Sequence, residues 1–98
     1  MAVLVVVSYD VSTKDEGGTR RLRRVAKACE DFGQRVQNSV FECIVDPTQW
    51  TRLRHNLLDL IEPESDSLRF YFLRANYRKR IEHHGAKQVP DLEGPLLL

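Results

Sequence analysis

The sequence predicts an α+β fold, because strand-like and helix-like apolar spacings follow one another in the order βαββαβ. Near its start the chain has five consecutive aliphatic residues with large side chains, Val3 to Val7, which is typical of a strand covered on both faces. Two later segments repeat apolar residues every three or four positions, as amphipathic helices do. A length of 98 residues allows one domain with a single modest core.

The first helix is predicted within GGTRRLRRVAKACEDFG, residues 17–33. We expect Thr19 or Gly18 to cap its start, and Gly33 to end it in the left-handed conformation. The other positions are mostly charged, so one side of the helix packs on a sheet while the other faces solvent or a partner. Its apolar side consists of Leu22, Val25, Ala26, Cys29 and Phe32.

The segment RVQNSVFECIV predicts two short antiparallel strands that turn at Asn38 and Ser39. A second helix follows in DPTQWTRLRHNLLDLIE, where Asp46 is expected to cap the start and Pro47 to occupy the first helical position. The last strand is predicted in LRFYFLRANY, in which Leu68, Phe70 and Phe72 alternate with Arg69, Tyr71 and Leu73.

The βαββαβ order is that of the ferredoxin-like fold, a four-stranded antiparallel sheet with two helices on one face. The opposite face would expose apolar side chains, among them Phe41 and Tyr71, over a patch larger than a monomer usually tolerates. A two-fold homodimer that packs sheet on sheet is the simplest remedy. We therefore assign residues 1–80 to the ferredoxin-like domain, and residues 81–98 to a C-terminal strand and tail that pack on the partner protomer.

The apolar run at the start is too short for a membrane span, which needs about 20 residues. No charged segment precedes it as in a secretion signal, so we expect a cytoplasmic protein that does not enter a membrane. Cys29 and Cys43 lie on an apolar helix side and in a strand, and are expected to be reduced core residues.

The net charge is only +1, but the basic residues are clustered. Separate basic surfaces of this kind can bind a polyanion, and the planar arginine fork suits phosphate. Charged residues on a helix often only interact with solvent, and we give that alternative equal weight. The two clusters are Arg20, Arg21, Arg23, Arg24 and Lys27, and Arg74, Arg78, Lys79 and Arg80.

Asp10 ends the most hydrophobic strand, where a turn residue that bonds its own backbone is the ordinary interpretation. The alternative is a magnesium site, because Mg²⁺ takes one or two protein carboxylates and completes its shell with water and phosphate oxygens. One Asp10 would be a poor site, but two Asp10 carboxylates across a two-fold axis would be an adequate one.

Several stretches together resemble a known family. They are SYDVS at the end of the first strand, RLRRVAKACEDFGQRVQNSVFEC from the first helix into the following strands, and the terminal GPLLL. In this order and at this length, they are similar to CRISPR-associated protein two, the small subunit of the machinery that captures new spacers. The most specific part is GQRVQNSVFEC.

The resemblance implies a homodimer that acts on nucleic acid in one of two ways. Members are magnesium-dependent endonucleases, on RNA or on duplex DNA, or scaffolds that bridge dimers of the larger CRISPR integrase subunit. The family's metal-binding aspartate corresponds to Asp10, and its catalytic arginines correspond to Arg24 and Arg35. Its phenylalanine in the serine-valine-phenylalanine stretch corresponds to Phe41. The expected cofactor is Mg²⁺, and the expected nucleic-acid contacts are Arg20, Arg23, Arg24, Lys27 and Arg78.

Two hypotheses follow from different classes of protein. In the first, the dimer is a metal-dependent endonuclease in which Asp10 holds magnesium and Arg24 and Arg35 stabilise the transition state, and we expect at most weak activity from the purified protein. In the second, it is a DNA-binding scaffold that hydrolyses nothing. An RNA-binding module outside this family is a third interpretation, but the aromatic-rich strand motif of such modules is missing.

Overall fold

A computed structural model describes residues 2–74 and 76–85 of the chain. The predicted element order is confirmed, and a short 3₁₀ helix, Tyr77–Arg80, follows the last strand. The elements are β1 (Val3–Asp10), α1 (Gly18–Glu30), β2 (Gly33–Gln37), β3 (Val40–Val45), α2 (Pro47–Leu60) and β4 (Ser67–Leu73).

The strands form one antiparallel sheet in the order β2-β3-β1-β4. Since α1 joins β1 to β2 past the intervening β3, and α2 joins β3 to β4 past β1, the ferredoxin-like topology is confirmed. Buried residues of both helices, such as Val25 and Leu53, share one core with Val5 and Val7 of β1. We call this side of the sheet the helix face and the other side the open face.

The prediction that Phe41 is exposed on the open face was wrong. Its side chain is fully buried, and its backbone pairs with that of Val7 in the core. Because side chains alternate along a strand, Phe41 shares the helix face with Cys43 and Val45 rather than the open face with Tyr71. Tyr71 does lie on the open face, opposite Val6, and is 47% exposed. The apolar patch on the open face is therefore smaller than predicted.

The ends of α1 differ from the prediction. Its N-cap is Gly17, without a side-chain cap, so the assignment to Thr19 or Gly18 was wrong. Gly33 does not adopt a left-handed conformation but opens β2. A glycine is needed there because a Cβ would lie 2.6 Å from the Cα of Cys43 on the neighbouring strand.

The start of α2 agrees with the prediction. Asp46 is the N-cap, Pro47 follows it, and the Asp46 carboxylate accepts a bond of 2.8 Å from the backbone N–H of Gln49. The Gln49 side chain accepts in return from the backbone N–H of Asp46 at 2.9 Å, which completes a capping box. Leu53 and Leu57 of this helix are fully buried.

The chain after β4 covers part of the open face. Ile81, Glu82 and His83 line a cavity of about 250 Å³ together with Val36, Val40 and Glu42, among others. Burial raises the pKa of the Glu42 carboxyl, while the nearby His83 lowers it. Residues 81–85 form no strand, and the remainder of the predicted C-terminal strand and tail lies outside the described residues. Within residues 2–74 and 76–85, no helix has the length and apolar character needed to cross a bilayer.

Candidate nucleic-acid interface and carboxylate site

A basic groove of about 560 Å³ runs beside α1. Five cationic side chains and a single carboxylate, that of Glu30, line it with Ala26. Four of the cations come from one side of α1, where residues three or four apart are neighbours, and the fifth comes from β2. They are Arg20, Arg23, Arg24, Lys27 and Arg35. The groove therefore brings together four of the five residues predicted to contact nucleic acid.

Arg35 is oriented by its contacts with the core and with α1. Its guanidinium carbon lies 5.2 Å from the centroid of the Phe41 ring, and its Nη2 lies 3.7 Å from Oε1 of Glu30. Both members of this ion pair are about half exposed, so the pair is weak and leaves the guanidinium accessible to a phosphate. Phe41 itself is fully buried, which makes it a support for Arg35 rather than a platform for a base.

Asp10 occupies the exposed end of β1, where its backbone pairs with that of Ser67 on β4. The preceding Tyr9 is 5% exposed and points into the core, so Asp10 points to the open face. Within the described part of the chain, no side chain or backbone N–H bonds to its carboxylate. A buried strand paired on both edges, with β3 and with β4, thus presents a carboxylate that is available to a ligand.

The described part of one chain gathers no cluster of metal ligands around Asp10. Among residues 2–74 and 76–85, no group of three or more His, Cys, Asp or Glu side chains is close enough to hold an ion. Magnesium needs few protein ligands, since water and phosphate oxygens complete its octahedral shell. A single exposed carboxylate fits that chemistry when a second copy of Asp10 lies beside it.

The sheet separates Asp10 from the predicted catalytic arginines. Arg35 pairs with Phe41 and lies on the helix face, and Arg24 lines the same groove, whereas Asp10 lies on the open face. Within one chain, the three residues are not brought together. Arg69 is a cation on the same open face as Asp10: its backbone pairs with that of Ser8, and its guanidinium carbon lies 5.4 Å from the ring centroid of Tyr71.

Sequence reasoning gave no site role to Arg69, although the alternation of the last strand already placed it opposite the core side chains. Arg78, by contrast, was expected to contact nucleic acid. It is an exposed residue of the 3₁₀ helix and is not among the residues that line the basic groove.

A buried ion pair beside Asp10 was also missed. The Asp66 side chain has no exposed surface, and its Oδ2 accepts from Nε of Arg21 at 2.8 Å. Its oxygens also accept from the backbone N–H groups of Ser12 at 2.9 Å and Glu62 at 2.8 Å. The Arg21 hydrogen bond, helped by these two backbone bonds, lowers the pKa of Asp66 to about 2. The pair joins residues 45 positions apart, so no local pattern could have revealed it.

Comparisons with known proteins identify the family. The family model described as CRISPR associated protein Cas2 matches residues 1–81. A relative from Nitratidesulfovibrio vulgaris, named CRISPR-associated endoribonuclease Cas2, is 63% identical over 97 residues, which span 99% of this chain and 95% of the relative. A relative from Halalkalibacterium halodurans, named CRISPR-associated endonuclease Cas2, is 60% identical over 95 residues, which span 97% and 99% of the two chains.

The fold supports the same assignment. The crystal structure of Streptococcus pyogenes Cas2 at pH 6.5 superimposes with a TM-score of 0.74 at 50% sequence identity, covering 84% of this chain and 99% of that one. The agreement thus includes the sequence over nearly the whole chain and the arrangement of the strands and helices. This chain belongs to the Cas2 family of CRISPR-associated proteins.

Proposed function

We propose that this chain forms a homodimer that cleaves RNA or DNA phosphodiesters as a magnesium-dependent endonuclease in spacer acquisition. The names of the relatives from N. vulgaris and H. halodurans support a nuclease. The observation that carries the proposal is the Asp10 carboxylate, which is exposed on the open face and bonded to nothing else in the described residues.

The metal would be held by Asp10 and by the same residue of a second copy. When bound there, Mg²⁺ supplies an activated water and neutralises the charge that develops on the phosphodiester. The role of the chain is to fix the carboxylate: β1 is hydrogen-bonded on both sides, and its Val5 and Val7 are fully buried. Asp10 therefore lies at the end of a buried strand, where its backbone pairs with that of Ser67 on β4.

The basic groove would hold the nucleic acid through its phosphates. Five cations from α1 and β2 line one surface, and phosphate contacts give binding that depends little on sequence and strongly on salt. Arg24 and Arg35 fit this binding role directly. Their predicted role in the transition state stays a proposal, and their position beside the groove does not favour it. Arg78 remains a proposed contact outside the groove.

The scaffold is the second candidate function, and the separation of Asp10 from the groove favours it. A surface that binds duplex DNA on the helix face needs no carboxylate on the open face. In this role the homodimer would carry DNA and bridge dimers of the larger CRISPR integrase subunit. Membership of the Cas2 family supports that partner.

Replacing Asp10 by asparagine separates the two functions. The endonuclease proposal expects Mg²⁺-dependent cleavage by purified Asp10→Asn protein to fall by orders of magnitude, because the charge is lost while the shape is kept. The control is Glu64→Gln, the same loss of one charge at an exposed carboxylate in the turn between α2 and β4. Cleavage by Asp10→Asn at the wild-type rate would contradict the assignment.

Spacer capture in cells then distinguishes enzyme from scaffold. If cleavage is what the cell requires, capture stops in cells that carry Asp10→Asn. If bridging is required, capture continues in those cells and stops when Arg20, Arg23 and Arg24 are replaced together by alanine.

A further inference from the structure

We propose that Arg21 is a positioning residue for Asp10: it binds no phosphate, but fixes the loop after β1 so that the Asp10 carboxylate is presented to the metal in one orientation. The inference rests on the proposed metal-binding role of Asp10. It assigns to Arg21 a task different from that of the other arginines of α1.

Arg21 forms several hydrogen bonds that link α1 to the loop following Asp10. Its Nε donates to Oδ2 of Asp66 at 2.8 Å, and its Nη2 reaches Oδ1 of Asp66 at 3.2 Å. The same guanidinium donates to both oxygens of Asp15, at 3.0 and 2.9 Å. Nη2 also lies 3.4 Å from the carbonyl oxygen of Ser12. One side chain therefore contacts the loop at two points, Ser12 and Asp15.

Asp66 transmits this restraint to the strand end. It accepts from the backbone N–H of Ser12, two residues after Asp10, and it directly precedes Ser67, the β4 residue that pairs with Asp10. The carboxylate thus ties together the two backbone segments that flank Asp10. Since its side chain has no exposed surface, Asp66 depends on Arg21 to balance its charge.

Close packing at the start of α1 supports the same role for the loop. A Cβ at Gly18 would overlap the carbonyl oxygen of Ser12 and lie 2.7 Å from the Cα of Thr13. Only glycine lets the loop lie this close to the helix. The loop is therefore held both by the Arg21 bonds and by direct contact with the helix backbone.

The simpler alternative is that Arg21 is one more phosphate contact in the basic segment. Its environment argues against that role, because the side chain is only 18% exposed and its donors already serve two carboxylates. Arg21 is also absent from the residues that line the basic groove, which include Arg20 and Arg23 on either side of it.

The test compares Arg21→Gln and Arg21→Lys with Arg20→Gln, a change of the same type at the neighbouring groove residue. Three quantities are measured: amide hydrogen exchange at Ser12, the Kd for Mn²⁺ by electron spin resonance with Asp10→Asn as reference, and the salt dependence of nucleic-acid binding. Mn²⁺ is the probe, so the readout does not depend on cleavage.

We expect Arg21→Gln to accelerate exchange at Ser12 and to weaken Mn²⁺ binding about tenfold, as loss of a residue that orients a metal ligand does. The slope of nucleic-acid affinity against salt stays at the wild-type value. Arg21→Lys should bind Mn²⁺ more tightly than Arg21→Gln but less tightly than the wild type. If Arg21→Gln does not fold, the Arg21→Lys protein is compared with the wild type instead. Arg20→Gln shows the reverse pattern, with a flatter slope and unchanged exchange at Ser12.

Two results would overturn the inference: a salt slope that flattens in Arg21→Gln as it does in Arg20→Gln, or Mn²⁺ affinity equal to that of the wild type in a folded Arg21 variant. Failure of the nuclease proposal looks different. If the wild type binds Mn²⁺ through Asp10 but cleaves nothing, the nuclease proposal fails, and Arg21 is still judged by Mn²⁺ affinity. If Asp10→Asn binds Mn²⁺ as the wild type does, Asp10 is not the metal ligand and the Arg21 inference fails with it.

Discussion

The guanidinium carbon of Arg35 lies 5.2 Å from the centroid of the Phe41 ring, on the helix face of the sheet. Phe41 is fully buried, so this contact fixes Arg35 at the border between the core and the basic groove beside α1. Asp10 lies on the other face of the same sheet. The features suited to bind phosphate and the carboxylate suited to bind a metal are therefore separate surfaces, which can be altered independently.

Replacing Arg20, Arg23 and Arg24 together by alanine should weaken binding of unrelated nucleic-acid sequences to a similar extent. Each lost phosphate contact lowers the slope of log affinity against log salt by about 0.9 on duplex DNA, so the slope should fall by about 2 to 3. Fluorescence anisotropy at several salt concentrations measures both effects. The control is Arg52→Ala with Arg54→Ala, on α2 and outside the groove. If the folded triple variant binds with unchanged affinity, these arginines do not contact nucleic acid and interact only with solvent.

Phe41→Leu should lower stability, and it should weaken nucleic-acid binding no more than Arg35→Ala does, because Phe41 contacts the groove only through Arg35. The buried ring stacks near Tyr9, with 6.2 Å between centroids, and a similar-sized aliphatic replacement in a core costs about 1 kcal/mol. Denaturant unfolding and binding at a temperature where the variant is folded measure the two effects. Loss of a residue that stacks on a base costs about 1 to 3 kcal/mol of binding free energy, and such a loss on adding Phe41→Leu to the Arg35→Ala protein would show that Phe41 contacts nucleic acid.

The Asp66 ion pair should make the free energy of unfolding fall as the pH is lowered into the acid range. The pKa of Asp66 is lowered from 3.8 to about 2, so the unfolded chain binds the proton more readily, and the stabilisation present above about pH 4 is lost as the pH falls through 2. Asp66→Asn should lower stability near neutral pH, because the charge-assisted bonds from Arg21 and from the backbone N–H groups of Ser12 and Glu62 lose their anionic acceptor. The difference between the two proteins in urea unfolding should narrow from pH 4 to pH 2, and a constant difference would argue against the ion pair.

The protein should sediment as a homodimer at micromolar concentration, with twice the 11.4 kDa mass of one chain. Tyr71 is 47% exposed on the open face, so Tyr71→Glu should shift the equilibrium towards monomer. Leu58→Glu is the matched control, since Leu58 is 42% exposed on α2, away from that face. A wild-type protein that sediments only as a monomer would remove the basis for a shared Asp10 site.

The parts of the fold that depend on local chemistry could be predicted from the sequence. Asp46 and Pro47 marked the start of α2 because a cap and a first-turn proline act within a few residues. Apolar spacing found the buried side of α1, including Val25 and Cys29. The groove cations were also predictable, since Arg20, Arg23, Arg24 and Lys27 lie at helical spacing in one segment.

What the sequence could not provide depends on contacts between distant segments. Phe41 was misplaced because assigning a strand's two sides to core and surface requires knowing its register with β1. Gly33 looked like a helix stop, but the approach of β3 is what requires a glycine there. The bond between Arg21 and Asp66 forms only when α1 and the turn before β4 come together in the folded chain, so Arg21 was grouped with the arginines beside it.

The proposed metal-binding carboxylate of Asp10 and the basic groove beside α1 lie on opposite faces of the sheet. The most direct test measures two quantities on the Asp10→Asn protein: the Kd for nucleic acid without metal, and the single-turnover cleavage rate with Mg²⁺ at saturating protein. We predict an unchanged Kd and a rate lowered by orders of magnitude. A Kd that weakens together with the rate would contradict this account, because Asp10 would then belong to the binding surface itself.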